Sequence, residues 1–368
     1  MRTHYRIRYF NFRLLFFTLA IAFIGILAVS SADESLQSKQ IGGAVAGFVI
    51  MLVLAFIDYK FILKFFWIIY GINFALLLMV LFLGQKGNGA QRWIELFGIR
   101  FQPSELCKLA IIVCLAAFIA KFREDFNTFR IIALCVVMFV IPAAMVYLQP
   151  DLSTTIVLCL IFISIMFVSD VNWKVILGSI GLALPVILIL AYLIMQPEQK
   201  IVSDYQKSRI TSFFNKEETA NAEGYQQTYS VMAIGSGQLS GKGYRNNETY
   251  SVKNADFLAE QQTDFIFSVI GEEFGFVGTC TVIVLLFLIA IECFIIAHRA
   301  DSIAGRIIGA GIGSWIGFQT FINIGVVTYL LPNTGLPLPF VSHGLTSLIC
   351  AFAGIGLVLN VGLQCEEK

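Results

Sequence analysis

The chain has 368 residues, of which 58% are hydrophobic and only 13% charged, with a formal net charge of +1 and a mean hydropathy of +0.81. Soluble domains carry about 25% charged residues, so this composition cannot cover a water-soluble globule. It excludes a cytosolic enzyme, a secreted disulfide scaffold and a disordered chain, and gives no sign of nucleic-acid binding. Thirty-four phenylalanines and few prolines suit lipid-facing helices better than a β-barrel, whose lumen face needs alternating polar residues. The expected class is an all-α polytopic membrane protein, read as a single membrane domain over 1–368.

Ten apolar runs of membrane length follow in chain order: 12–30, 41–57, 61–83, 106–122, 130–148, 153–169, 174–196, 268–297, 306–330 and 342–363. The first has a basic flank and an Ala28-Val29-Ser30 stretch resembling a signal-peptide cleavage site, but the many later runs favour a retained helix. Seven cysteines lie in or beside these runs and Cys365 in the tail; without a C-x-x-C spacing they read as small buried hydrophobes. His4, His298 and His343 are too far apart to suggest a metal site.

Lysine and arginine set the orientation. Arg2, Arg6, Arg8 and Arg13 precede the first run without an acid. An inner N-terminus also places Lys121, Arg123, Arg130, Lys174, Arg299 and Arg306 inside, against Asp33 and Glu34 in the first outer loop. Both termini are then cytoplasmic. Three segments ill-suited to lipid fall outside: 84–105, 197–263 and 331–347. The second carries 15 charged residues and forms a long extracytoplasmic loop between helices 7 and 8, a length that usually has a function. Within it, Tyr205–Phe214 and Gly224–Leu239 show helical spacing suited to the membrane interface.

Several charges in or beside the apolar runs need a reason. Glu105 and Lys108, at i and i+3 where the fourth run begins, share a helix face and can neutralise each other; the pair reads either as structural or as the polar floor of an outward cavity. Arg92 and Arg100 flank Trp93 near a proline-started helix and can meet an anion such as phosphate. Asp151 is a natural N-cap for the sixth run. Asp264 stands where the polar loop meets Phe265-Ile266-Phe267. That apolar flank lowers the local dielectric and suits a general base, although an aspartate there also reads as an N-cap. Glu272 and Glu273, two turns on, need a basic partner or a wet cleft. No Gly-rich phosphate loop, Ser-His-Asp set or H-E-x-x-H motif is present, and Gly241-Lys242-Gly243 is too short for a Walker element.

Together these segments resemble the SEDS family (shape, elongation, division, sporulation). The resemblance runs nearly end to end: Gly89-Ala90-Gln91-Arg92-Trp93; Phe101-Gln102-Pro103-Ser104-Glu105 with Lys108; Gln149-Pro150-Asp151-Leu152; Tyr205-Gln206 with Arg209; Gly224-Tyr225-Gln226; Ala233-Ile234-Gly235-Ser236-Gly237 leading to Gly241-Lys242-Gly243. Then come Gln262-Thr263-Asp264-Phe265-Ile266-Phe267 with Gly271-Glu272-Glu273-Phe274-Gly275, followed by Gln319, Asn323-Ile324-Gly325 and Leu336-Pro337-Leu338-Pro339-Phe340-Val341-Ser342. The Gly-Ala-Gln-Arg-Trp and Gln-Thr-Asp stretches and the short tails favour the elongation branch over the division branch. After Ser342 the chain departs from the family's usual Tyr-Gly-Gly-Ser and reads His343-Gly344-Leu345-Thr346.

The resemblance implies a peptidoglycan glycosyltransferase of the bacterial inner membrane that polymerises lipid II, with undecaprenyl pyrophosphate leaving and inversion at the donor carbon. By its match to the family motif, Asp264 is the base. Arg92, Lys108, Arg209 and Lys242 become candidates for pyrophosphate contact, with Glu105 orienting Lys108. A divalent cation, Mg²⁺ or Mn²⁺, can share that role, although the sequence shows no ligands for it. The implied partner is a class B penicillin-binding protein. Two other readings stay open: a lipid II flippase or other lipid-linked sugar transporter, and a non-enzymatic scaffold for the penicillin-binding protein. The carboxylate at the outer loop–membrane boundary favours the enzyme.

Overall fold

The computed structural model describes residues 9–87, 90–96, 99–172, 209, 213, 224–245 and 261–365. The first half holds α1 (Phe12–Ala32), α2 (Gln37–Phe56), α3 (Tyr59–Lys64), α4 (Phe66–Leu83), α5 (Pro103–Lys121), α6 (Phe129–Leu148) and α7 (Leu152–Val168). Beyond it come α8 (Gly224–Ser236), α9 (Ile266–Arg299), α10 (Ile303–Val327) and α11 (Leu345–Leu363). Eight of these, α1, α2, α4, α5, α6, α9, α10 and α11, are long and apolar enough to cross a membrane, and α7 is an apolar helix of 17 residues. The protein is a polytopic helical membrane protein. The expected run at 174–196, most of the loop at 197–263 and the helical piece expected at Tyr205–Phe214 lie outside the described residues.

Burial sorts the helices into centre and rim. On α5 only Leu106, Leu109, Ala120 and Lys121 escape full burial. It packs, with α10 and α11, into one apolar core that includes Ile112, Leu115, Ile307, Ile312, Ile355 and Val358. The rim helix α4 instead turns Trp67, Ile68, Ile72 and Phe82 outward, as a lipid-facing helix does when lipid is as apolar as the core. The third expected run is broken: α3 and α4 meet at Phe65, and Asp58 caps α3 through the Lys60 N–H at 2.9 Å.

The segment 84–105 folds in a way its composition alone did not reveal. A three-stranded antiparallel sheet, β1 (Gln85–Gly87), β2 (Ala90–Leu96) and β3 (Ile99–Phe101), runs in sequence order with Trp93 opposite Gln85 and Glu95 opposite Arg100. The signal for it was the Asn88-Gly89 dipeptide between the first two strands, a strong hairpin mark.

Candidate active site

The described parts of the polar segments expected outside meet at one end of the bundle. The opposite end holds Asn11, which caps α1 and donates from Nδ2 to Glu292 at 2.7 Å. It also holds Arg306, bonded to Asp170 at 3.2 Å.

At the end where the polar segments meet, Asp264 immediately precedes the start of α9. The N-cap position falls on Phe265, one residue after Asp264, and the Phe265 side chain makes no cap bond. Asp264 itself is only partly buried, whereas Phe265, Ile266 and Phe267 behind it are fully enclosed. Asp151, by contrast, does cap its helix: Oδ1 accepts from the Thr154 N–H at 3.2 Å, while Oδ2 takes bonds from Ser104 and Gln102 at 3.3 Å.

Asp264 has a cationic neighbour across a glycine. Gly335 lies in the proline-rich loop with φ +72°; a Cβ added to it would stand 3.1 Å from Arg209 Nη1 and 3.2 Å from Asp264 Oδ2. Only glycine tolerates both that φ and that crowding. The carboxylate and the guanidinium thus converge on one point of the outer face. The same loop reaches α7, where the Ser153 hydroxyl donates to the Thr334 carbonyl.

Arg92 lies on β2, half-buried. It donates to the Pro150 carbonyl and stands 3.9 Å from Asp151; its Nε finds no partner among the described residues. Lys242 bonds Glu272 at 2.7 Å, its side chain 22% exposed. Glu273 accepts from the Ser31 hydroxyl. The basic partner expected for Glu272 is therefore Lys242, 30 residues away in sequence.

That pairing depends on a break in α9. Gly275 has φ +63° and ψ −158°, outside the helical region, a conformation almost reserved for glycine. The N–H groups of Phe276 and Val277 turn to the carbonyls of Gln238 and Leu239 at 2.8 and 3.2 Å. In return the Glu272 and Glu273 carbonyls accept from the N–H groups of Lys242 and Gly243 at 2.9 and 3.1 Å. The loop repairs the hydrogen bonds that the kink opens, which is the condition for irregular backbone at a membrane boundary.

Glu105 and Lys108 do form the expected pair, at 2.7 Å, but both are enclosed, with side chains 1% and 0% exposed. The Lys108 ammonium also donates to Gln319 Oε1 at 2.7 Å and sits 5.0 Å from the Trp315 ring centroid. Lys108, expected as a candidate for pyrophosphate contact, thus has its ammonium enclosed by Glu105, Gln319 and Trp315 in this arrangement.

Residues to which the sequence reading gave no role complete the picture. Asn323 donates from Nδ2 to the carbonyls of Asp264 (2.9 Å) and Leu336 (2.6 Å). Gln319 donates from Nε2 to the Pro337 carbonyl at 2.8 Å. Ser342 donates to the Thr263 carbonyl and accepts from the Leu338 N–H, at 2.6 and 2.7 Å. Their sequence signals were a place in the motifs that resemble SEDS proteins and polar amides and a hydroxyl inside apolar runs, which in a membrane protein mark function or packing. His343, the departure from the family pattern, donates its backbone N–H to Gln262 and places Nδ1 3.1 Å from Gln40. Burial, then the charge of Lys39, holds its pKa below the ordinary value, opposed by Asp33.

The described residues do not make a site for Mg²⁺ or Mn²⁺. No group of three or more His, Cys, Asp or Glu side chains comes together among them, and the neighbour of Asp264 across Gly335 is a guanidinium rather than a second carboxylate.

Comparison with known proteins agrees with this architecture. A family model of the FtsW, RodA and SpoVE type, described as a cell cycle protein, matches residues 8–367. The peptidoglycan glycosyltransferase MrdB of Escherichia coli K12 is 34% identical over 336 residues, covering 91% of this chain and 88% of that protein. A probable peptidoglycan glycosyltransferase FtsW of Buchnera aphidicola is 33% identical, covering 100% and 97%. A chain from a structure of a peptidoglycan synthase complex, described as coordinating polymerization and crosslinking, superposes with a TM-score of 0.81 at 26% identity, covering 96% and 97%. The family match spans almost the whole chain, and the motifs that resemble SEDS proteins assemble at one end of one bundle: this chain belongs to the FtsW/RodA/SpoVE family, the SEDS family.

Proposed function

We propose that this protein is a peptidoglycan glycosyltransferase that polymerises lipid II during cell-wall elongation and cell-shape maintenance, with Asp264 as general base. Its relatives carry that activity in their names. The observation that carries the base assignment is the position of Asp264: a partly exposed carboxylate one residue before the helix N-cap, set on an enclosed apolar wall and facing Arg209 across Gly335.

The donor glycan is held on undecaprenyl pyrophosphate and the acceptor is the 4-hydroxyl of the incoming GlcNAc. Asp264 takes the hydroxyl proton as the oxygen attacks the donor C1. The C1–O bond to the pyrophosphate breaks, the leaving group departs with the electron pair, and the α-linked donor becomes a β-1,4 link. Charge develops on the pyrophosphate, where fixed cations stabilise it. Arg209 stands across Gly335 from Asp264, Arg92 is half-buried with its Nε enclosed, and Lys242 is partly exposed at the edge of the kink. Lys108 and Glu105 act from below, out of contact with substrate.

The chemistry needs the Asp264 end outside. Both termini then lie in the cytoplasm of a bacterial inner-membrane protein, as the lysine and arginine distribution requires. A cysteine at exposed Gln238 should react with an impermeant thiol reagent in cells with a permeabilised outer membrane, and one at exposed Asn127 should not; the reverse pattern overturns the orientation. The crosslinking partner is a class B penicillin-binding protein, consistent with the synthase complex that this fold matches. Reconstitution of the purified chain with that partner and lipid II tests the function. Glycan strands are expected; lipid II moved across a bilayer without polymer supports a flippase, and neither activity a scaffold.

A further inference from the structure

We propose that Gln319 and Asn323 form an amide rail on α10 that positions Asp264, and that the buried Glu105–Lys108 pair serves catalysis through this rail rather than by touching substrate. The proposal rests on the reading of Asp264 as the base.

The two amides are four residues apart and so share one face of α10. Both turn their NH₂ groups onto the proline-rich loop, Gln319 to Pro337 and Asn323 to Leu336, and Asn323 uses the same nitrogen to hold the Asp264 carbonyl. The next residue along the loop, Gly335, is the one that meets the Asp264 carboxylate and Arg209. The rail therefore fixes both sides of the gap across which base and cation face each other. Asn323 is 1% exposed, and its Oδ1 has no partner among the described residues. Flipping the amide would press that oxygen against two carbonyls, so the orientation is set by the network.

At the other end of the rail, Gln319 Oε1 accepts from both the Lys108 ammonium and the Trp315 indole at 2.7 Å. A cation on the carbonyl side polarises an amide and strengthens the bond its NH₂ donates. Lys108 so tightens the hold on Pro337, and Glu105 neutralises Lys108 in the core.

The test measures lipid II polymerisation by the purified full chain with its class B penicillin-binding protein, using Gln319→Glu and Asn323→Ala, each alone and combined with Asp264→Glu. Gln319→Glu keeps acceptors for Lys108 and Trp315 but loses the NH₂ group that bonds Pro337, and with Glu105 it sets two carboxyls on one lysine. It should fold, hold the lipid II KM within about twofold and lose about 10-fold in kcat. Asn323→Ala should lose about 100-fold, the cost of a misplacement of about 1 Å. Once Asp264→Glu has already moved the carboxylate, each further loss should shrink to under about threefold, because residues acting as one unit are not additive. Equal losses in both backgrounds, a change in KM alone, or near wild-type kcat in Gln319→Glu overturn the rail. Should Asn323→Ala fail to fold, Gln319→Glu decides alone. An inactive Asp264→Asn beside a fully active Gln319→Glu removes the rail and leaves the base; an active Asp264→Asn removes both.

Discussion

Two lysine–glutamate pairs bond at the same 2.7 Å, yet their surroundings give them different work. Glu105–Lys108 lies within one helix at the centre of the bundle, sealed from water. Lys242–Glu272 joins an outer loop to the kinked start of α9 with the lysine partly wet. In the first, the low dielectric raises the stakes for each charge; removing one partner leaves an uncompensated ion. In the second, the lysine side chain is 22% exposed but Glu272 only 2%, so water reaches one partner alone, and four backbone hydrogen bonds across the kink hold the loop independently of the pair.

The largest stability effect should follow Lys108→Ala. Breaking a buried pair costs about 3–5 kcal/mol, and this variant should be recovered from membranes in low yield with a clearly reduced unfolding temperature in detergent. A Glu105→Gln partner change that restores yield but not polymerisation would sharpen the contrast, since it removes the stranded charge without rebuilding the link to Gln319. If Lys108→Ala is as stable as the parent, the central pair is no different from a surface one.

Lys242→Met should be milder, about 1–3 kcal/mol, because it strands one buried carboxylate, Glu272, at a site that water reaches from the lysine side, and the loop keeps its backbone anchors. Thermal unfolding in detergent measures it. A loss as large as that of Lys108→Ala would erase the distinction between the two pairs.

The smallest expected effect comes from His343→Tyr, which restores the residue type the family shows after Ser342. The native histidine binds protons less readily folded than unfolded. Between its ordinary value near 6.5 and its lowered folded value, the unfolded chain holds more proton, so stability is full above about pH 6.5 and falls as the medium acidifies. Unfolding temperatures from pH 7.5 to 5.5 should fall more steeply in the native protein than in His343→Tyr; parallel slopes would show that His343 does not titrate in this way.

The two pairs also mark what a sequence can disclose. The i, i+3 spacing of Glu105 and Lys108 follows from helix geometry alone, so their pairing was legible; their sealing was not, since burial comes from α10 and α11, more than 200 residues on. Lys242–Glu272 was invisible locally. It exists because Gly275 breaks α9 and the 238–243 backbone fills the gap, and no periodicity encodes that. Nine of the ten expected runs coincide with helices because lipid imposes length and apolarity on each of them. The sheet at 85–101 escaped because its strands are short and amphipathic, and the loop at 331–347 that composition could only place outside turns out to be tied to Asp264 through Asn323 and to Thr263 through Ser342.

The account stands on Asp264 as base, and one rate tests that most directly. Asp264→Asn keeps the size and hydrogen-bonding shape of the side chain but cannot take the acceptor's proton at neutral pH. With its class B penicillin-binding protein and lipid II, the purified variant should be as stable as the parent and bind its partner, yet polymerise about 10²–10⁴-fold more slowly, the usual cost of losing a general base. Polymerisation within a few-fold of the parent rate would contradict the assignment, and with it the reading of the outer site.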